Sequence, residues 1–397
     1  MKYSLKVVIL ILLCTFAGTI LAQKNKIKNE AGIKVPMDAA RWEYDSSHAE
    51  FVSHRNVKAV KPRRGGYQIT LKDQAFKDGI IEYDVELTGI GFPGINFRAS
   101  ADGKYSENFY IRSFGKVAPE SRFTLQYTAV IDNVSMWDLS DEYQAGAIIY
   151  QEGWNHVKLV VSGRQMKAYV NDMTKPALAI SRLEGRDEAG KISLTGNVIY
   201  ANLILKPNVT EGLTAEAGYS PVDYDPNYIR DWMVSPAQDF PFGRDIVFPL
   251  PSMRGALNKS ELPDSATLWS PLVAEYRGVV NLSSKFGGVP DDKRRLAWIK
   301  TTVNSATAQE KVLRLGFSDE IWVFVNGQLL HVDKNYFGTP QQKDGGRCTL
   351  NNTSIRMPLK SGDNEILIAL ANYFYGWGVV ARFEDMGGIR VGKGPGQ

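Results

Sequence analysis

Cysteine is almost missing from this sequence. Its 397 residues contain two, Cys14 and Cys348, and only Cys348 lies beyond the apolar N-terminal segment. A disulfide framework and a thiolate metal cluster are thereby excluded from the mature chain. Histidine is nearly as scarce, and His48, His54, His156 and His331 show no metal-ligand spacing. No strong excess of one charge is present either. Lys and Arg number 47 against 43 Asp and Glu, a formal net charge of +4, which is no footprint for nucleic acid. Phosphate loops, a G-x-S-x-G elbow and long helical periodicity are also absent.

Long apolar runs are limited to one. VVILILLCTFAGTILA follows the basic start MKYSLK and ends at Ala22. Residues 1–22 read as a cleaved signal peptide, because the run is short for a spanning helix. A retained signal anchor is the alternative, and Leu13 disfavours lipidation at Cys14. The mature chain is therefore expected to be secreted or periplasmic, with no membrane span. Without Lys2 and Lys6 its balance is 45 basic against 43 acidic side chains.

What the sequence does have is β signal. Turn residues punctuate short runs such as GIIEYDVEL (79–87), GINFRA (94–99), NFYIR (108–112) and WNHVKLVV (154–161). Prolines 207, 221, 226, 236 and 241 interrupt the pattern, and a second series follows from RLAWIKTTVNS (295–305) to WGVVARFED (377–385). The reading is all-β: two jelly-roll sandwiches, 33–206 and 246–392, joined by a proline-rich linker, 207–245.

Alternation along strands divides each run into two faces. In the first sandwich Asn96, Arg98, Tyr110, Arg112 and Gln126 fall on the face away from the core. Guanidiniums, carboxamides and a phenol offer the directional hydrogen bonds that a polyhydroxylated ligand needs. Trp137, in the loop VSMWDLSD, could stack on a sugar ring, and an ordinary solvated face with a core tryptophan is the alternative. EYDVE puts Glu82, Asp84 and Glu86 on one face, a spacing that resembles the E-x-D-x-E strand of family 16 glycoside hydrolases. The motif sits on an early strand, and a solvated strand face explains it better. Asp102 and Asp132 lie in loops, but isolated acids define no calcium site, so no cofactor or metal is assigned.

In the second sandwich, SDEIWVFVNGQLLHVD (318–333) carries Asn326-Gly327, the strongest two-residue hairpin signal. A uniform register pairs Val325 with Gln328, Phe324 with Leu329, Val323 with Leu330, Trp322 with His331 and Ile321 with Val332. Ile321, Val323, Leu330 and Val332 then face the core. Trp322, Phe324, Leu329 and His331 form a second apolar face that needs a cover: a loop, the first sandwich or a ligand. Trp377, between Gly376 and Gly378 after Tyr373, Phe374 and Tyr375, is read either as a core cap or as a stacking platform.

Two family resemblances follow from these runs. F-x-D-G-x-I-E-Y-D (76–84), G-I-N-F-R (94–98), F-Y-I-R (109–112), W-D-L (137–139) and W-x-x-V-K-L-V-V-S-G (154–163) resemble the concanavalin-A-like, laminin-G-like jelly roll. Within it they are similar to the bacterial branch with 3-keto-disaccharide hydrolase domains. The resemblance implies a glycan groove on the concave sheet, with Arg98, Tyr110, Arg112 and Gln126 in it. F-S-D-E-I-W-V-F-V-N-G (317–327), G-D-N-E-I-L-I-A-L (362–370) and G-W-G-V-V-A-R-F-E (376–384) resemble the galactose-binding-like accessory sandwiches of family 2 glycoside hydrolases. The functional expectation is a non-catalytic protein that binds poly- or oligosaccharide, because no residue set combines nucleophile, base and orienter. A glycoside or keto-glycoside hydrolase or lyase at the same face, and a protein-interaction module of the cell envelope, are the alternatives.

Overall fold

The computed structural model describes residues 32–63, 68–115, 118–140, 142–248, 256–275, 277–288 and 293–392. The expected signal peptide lies outside the described residues. Secondary structure is nearly all antiparallel strand, with one described α-helix, Leu282–Phe286.

The first sandwich has two sheets. One runs Leu178–Ile180, Gln165–Val170, Asn155–Ser162, Gly79–Leu87, Val198–Pro207, Val57–Pro62, Ala49–His54. The other runs Val134–Ser135, Leu125–Ile131, Ser106–Ile111, Gly94–Ala99, Lys191–Thr195, Ile69–Leu71, Trp42–Glu43. Period-two alternation drives this arrangement: Ile81, Tyr83 and Val85 from one sheet meet Ile95, Phe97, Phe109 and Tyr127 from the other in one buried cluster.

The second sandwich packs a sheet ordered Ser270–Val273, Asp231–Val234, Arg295–Ser305, Gly362–Ala371, Glu320–Val325, Gln328–Lys334 on a smaller one. The smaller sheet runs Val279–Asn281, Gly378–Phe383, Gln309–Ser318, Thr353–Leu359. Ile321, Val323 and Val325 enter the core between them.

The proline-rich stretch is divided, which corrects its reading as a linker. Val209 and Leu213 pack on Ile80, Val160 and Tyr169 of the first sandwich. Asp231–Val234 pairs with Ser270–Val273 and Arg295–Ser305, so the second sandwich starts upstream of 246. Prolines 236 and 241 break the alternation that would have exposed this strand in the sequence.

The hairpin also departs from its uniform register. Val325 pairs with Gln328 and Phe324 with Leu329, but a bulge at Leu330 then sets Val323 opposite His331, Trp322 opposite Val332 and Ile321 opposite Asp333. His331 therefore leaves the second face and meets Thr353 of the smaller sheet at 3.2 Å. Trp322 and Phe324 are covered by protein: Phe240, Ile246, Val247, Leu257, Leu262 and Trp269 form the third core with them.

The two sandwiches meet along a seam. Met136 and Leu139 pack with Val279, Cys348 and Val380. Asp138 accepts from the Gly376 backbone N–H at 3.0 Å and from the Ser318 hydroxyl at 2.9 Å. A Cβ on residue 376 would sit 2.5 Å from the Asp138 carboxylate, which explains glycine there. Arg277 adds ion pairs to Glu142 at 2.8 Å and Glu184 at 2.7 Å.

Candidate functional site

The seam brings part of the expected polar face against the second sandwich. Tyr110 donates to Gln126 Oε1 at 2.8 Å, and Arg112 donates to the same oxygen. Arg112 also reaches Gln144 Oε1 at 3.3 Å and the Phe123 carbonyl at 3.4 Å. Gln126 Nε2 donates to the Trp137 carbonyl at 2.9 Å. From the second sandwich, Arg347 donates to Gln144 Oε1 at 3.1 Å and stacks on Phe123 and Trp137, 5.4 and 5.1 Å from their ring centres.

Tyr110, Arg112 and Gln126 are all buried. They form the floor of the junction, and Trp137 forms part of its wall. Burial pushes the Tyr110 phenol up to about 12, so it stays a neutral donor. Burial, with Arg347 and Arg122 nearby, also lowers Arg112, and no described carboxylate pairs with it.

Above this floor stand exposed aromatic rings that the alternation argument passes over. Phe123 is 51% exposed, and Phe92 lies 5.7 Å from Tyr110. Phe114 is 5.2 Å from Phe92. Tyr375, 41% exposed, is 6.0 Å from Trp137, whose other neighbour is Phe337 at 5.2 Å. Their signal in the sequence is aromatic residues in turn segments, where no strand face accounts for them.

Other expected site residues lie elsewhere. Asn96 faces outward but is buried in a local ladder, accepting from Asn108 at 2.6 Å and donating to Ser193 at 3.2 Å. Arg98 is not on this face. Phe97 and Arg98 together oppose Ile192, and Arg98 takes φ +52°, so its side chain turns across the sandwich edge. There it bonds Asp78 at 2.9 Å and the Gly163 carbonyl at 2.8 Å, joining the two sheets. Trp377 is fully buried, with its backbone N–H on Ser283 Oγ at 2.9 Å, so it serves the core and is no platform. The glycines beside it leave no room for a Cβ, which would meet Asp138 at 2.5 Å and the Val280 carbonyl at 2.8 Å, and Tyr373 and Tyr375 stay exposed.

Glu82, Asp84 and Glu86 do share one face, on the sheet opposite the junction, and each is partnered. Lys206 reaches Glu82 at 2.9 Å, and His156 reaches Asp84 at 2.7 Å. Arg55 bonds both oxygens of Glu86, at 2.7 and 3.0 Å, and His54 adds a contact at 2.9 Å. Burial raises Asp84, but hydrogen bonds from His156 and Asn202 outweigh it and hold the carboxyl below its ordinary range. The Arg55 bonds bring Glu86 down to about 2. Neither is the raised carboxyl of a general acid. In Arg55→Ala, the Glu86 carboxyl is expected to titrate above 2, toward its ordinary value of 4.5, which carbon-detected NMR reads directly.

Asp102 is bonded to Ser100 at 2.6 Å, and Asp132 lies 3.4 Å from Lys104. Among the described residues no group of three His, Cys, Asp or Glu is placed to hold a metal ion. No described helix is long and apolar enough to cross a membrane.

No protein-family model and no curated protein match the chain. Among solved structures it is similar to the carbohydrate-binding module CBM66 from Bacillus subtilis, at 13% identity and TM-score 0.31, over 42% of this chain and 92% of that one. A Bacillus licheniformis β-glucanase gives 11% identity and TM-score 0.33, over 46% and 100%. An anti-sigma factor domain-containing protein spans more of the chain, 89% against 93% of its own, at 9% identity and TM-score 0.25. Similarity at this level leaves function to be argued from the chain's own residues.

Proposed function

We propose that this is an exported, non-catalytic carbohydrate-binding protein that takes a poly- or oligosaccharide at the junction between its sandwiches. The observation that carries the reading is the pairing of chemistries there. A buried floor of Tyr110, Arg112 and Gln126, with half-buried Gln144 beside it, sits under a rim of exposed aromatic rings. Rings cover the apolar faces of a sugar, and fixed donors and acceptors read its hydroxyls. Arg112 keeps a donor in hand: among the described residues its Nε–H has no acceptor.

Binding without hydrolysis is supported by the placement of acids. At the seam Asp138 and Asp319 are sealed from solvent and Glu142 and Glu184 are paired with Arg277, while the Glu82–Glu86 ladder lies on the opposite sheet. Export rests on the N-terminal apolar run.

A glycan array tests the reading. Wild type is expected to bind at least one polysaccharide class. Phe123→Ala with Tyr375→Asn is expected to weaken it about thirty-fold, from about 1 kcal/mol for each half-covered ring. Asparagine is chosen because Tyr375 has φ +60°. An empty array, together with a stable protein complex in pull-down, overturns the proposal in favour of an envelope interaction module.

A further inference from the structure

A second polar pocket lies in the second sandwich, at the end of the sheet that carries the hairpin. It measures about 200 Å³ and is lined by Phe242, Arg244, Arg294, Glu320, Lys334 and Tyr336. That is smaller than the roughly 300–1,000 Å³ of ordinary small-molecule sites, so it seats one ring and not a chain. Its charges are balanced once Asp245, also in the lining, is counted: Arg244, Arg294 and Lys334 stand against Asp245, Glu261 and Glu320. Arg294 pairs with buried Glu320, Tyr336 donates to the same carboxylate, and Lys334 lies 3.1 Å from its other oxygen. Arg244 is held by Glu261 at 2.9 and 2.6 Å. A pocket with many fixed polar groups and little net field favours neutral hydroxyls over an ion. Phe242, 65% exposed, forms its open wall.

This pocket is connected to the junction by aromatic rings in contact. Phe242 lies 5.9 Å from Tyr373, and Tyr373 lies 6.3 Å from Phe374. Phe374 is 4.4 Å from Tyr375, which reaches Trp137 at 6.0 Å. Phe374 also stacks on Phe337 at 5.2 Å with an 8° interplanar angle. The ridge is anchored: buried Asp319 accepts from the backbone N–H of Tyr373 and, at 2.8 Å, from that of Phe374. Fixing the loop in advance removes the ordering cost that a mobile aromatic loop pays on binding. A contiguous row of rings, with Phe242, Tyr373 and Tyr375 exposed and Phe374 and Trp137 half-buried between them, is unusual on a protein surface and marks a contact surface.

We infer that the Phe242–Tyr336 pocket is a second sugar subsite and that the ridge carries one glycan chain across both sandwiches. The inference rests on the carbohydrate reading of the junction and adds that the ligand is a polymer. Occupying two linked subsites raises affinity through effective concentration, which a short fragment cannot exploit.

The test is native electrophoresis of the full chain in gels cast with laminarin, xylan, dextran, starch or pectin. Wild type, Phe242→Ala and Tyr375→Asn are compared, after circular dichroism confirms that each is folded. Binding of the trisaccharide of the retained polymer is measured by calorimetry in parallel. The expected result is that Phe242→Ala weakens polymer retention at least five-fold and leaves trisaccharide affinity within two-fold of wild type. Full retention of Phe242→Ala, with retention lost in Tyr375→Asn, overturns the second subsite and leaves the junction standing. No retention of wild type in any gel overturns the carbohydrate reading and the inference together.

Discussion

Replacing Trp322 by alanine is expected to destabilise the second sandwich by about 3–5 kcal/mol. Trp322 is 1% exposed and packs edge-on to Phe240, with ring centres 5.9 Å apart. It belongs to the core formed with Ile246, Leu296 and Trp298 on the outer side of the larger sheet. That core is small, so the cavity has few neighbours able to collapse into it. Urea unfolding monitored by circular dichroism checks the figure. A loss below 1 kcal/mol would mean that Phe240 and its segment do not cover the hairpin in solution.

That cover shows where the sequence was readable and where it was not. Asn326 and Gly327 have φ +50° and +78°, the turn their identities demand, and the Trp322 and Phe324 face did require a partner. The partner was invisible because Phe240 comes from the 207–245 stretch, whose prolines mimic a spacer. The bulge at Leu330 was also hidden, since period-two reasoning assumes an uninterrupted ladder and one extra residue moved His331 to the other face. The same failure displaced Arg98. Alternation placed Tyr110, Arg112 and Gln126 correctly on one face, because Ser106–Ile111 pairs with Leu125–Ile131 without interruption. The participation of Arg347 and Gln144 was not legible. They lie 203 positions apart, and only the packing of the two sandwiches joins them.

Acidification from pH 8 to 5 is expected to stabilise the seam that positions the junction, by about 2–3 kcal/mol through Asp138. Burial raises Asp138 from 3.8 to about 7, with Ser318, Gly376 and Arg347 acting in the opposite direction. Geometry agrees. The Ser318 hydroxyl lies 2.9 Å from Asp138 and 2.9 Å from Asp319, and one hydroxyl proton serves only one of them. The other contact needs a proton on a carboxyl group.

The fold therefore binds a proton that the unfolded chain releases above its ordinary value. The resulting stability is absent above about pH 7 and grows as pH falls toward 3.8. Glu107 and Glu275, each raised by burial to about 7, act in the same direction. Glu86, held near 2, costs stability only below its ordinary 4.5. Asp138→Asn mimics the protonated form and is expected to fold well and to lose Asp138's share of the pH dependence. Denaturation midpoints of both proteins at pH 5 and 8 decide it, and equal pH dependence in the two contradicts the shared-proton account.

Hydrogen–deuterium exchange of the intact protein, with and without the polysaccharide that binds best on the array, tests the location of the site most directly. Protection is expected in segments 92–114, 121–127 and 373–376, which carry Phe92, Tyr110, Arg112, Phe123 and Tyr375. Protection confined to the opposite sheet, around Glu82, Asp84 and Glu86, would contradict this location.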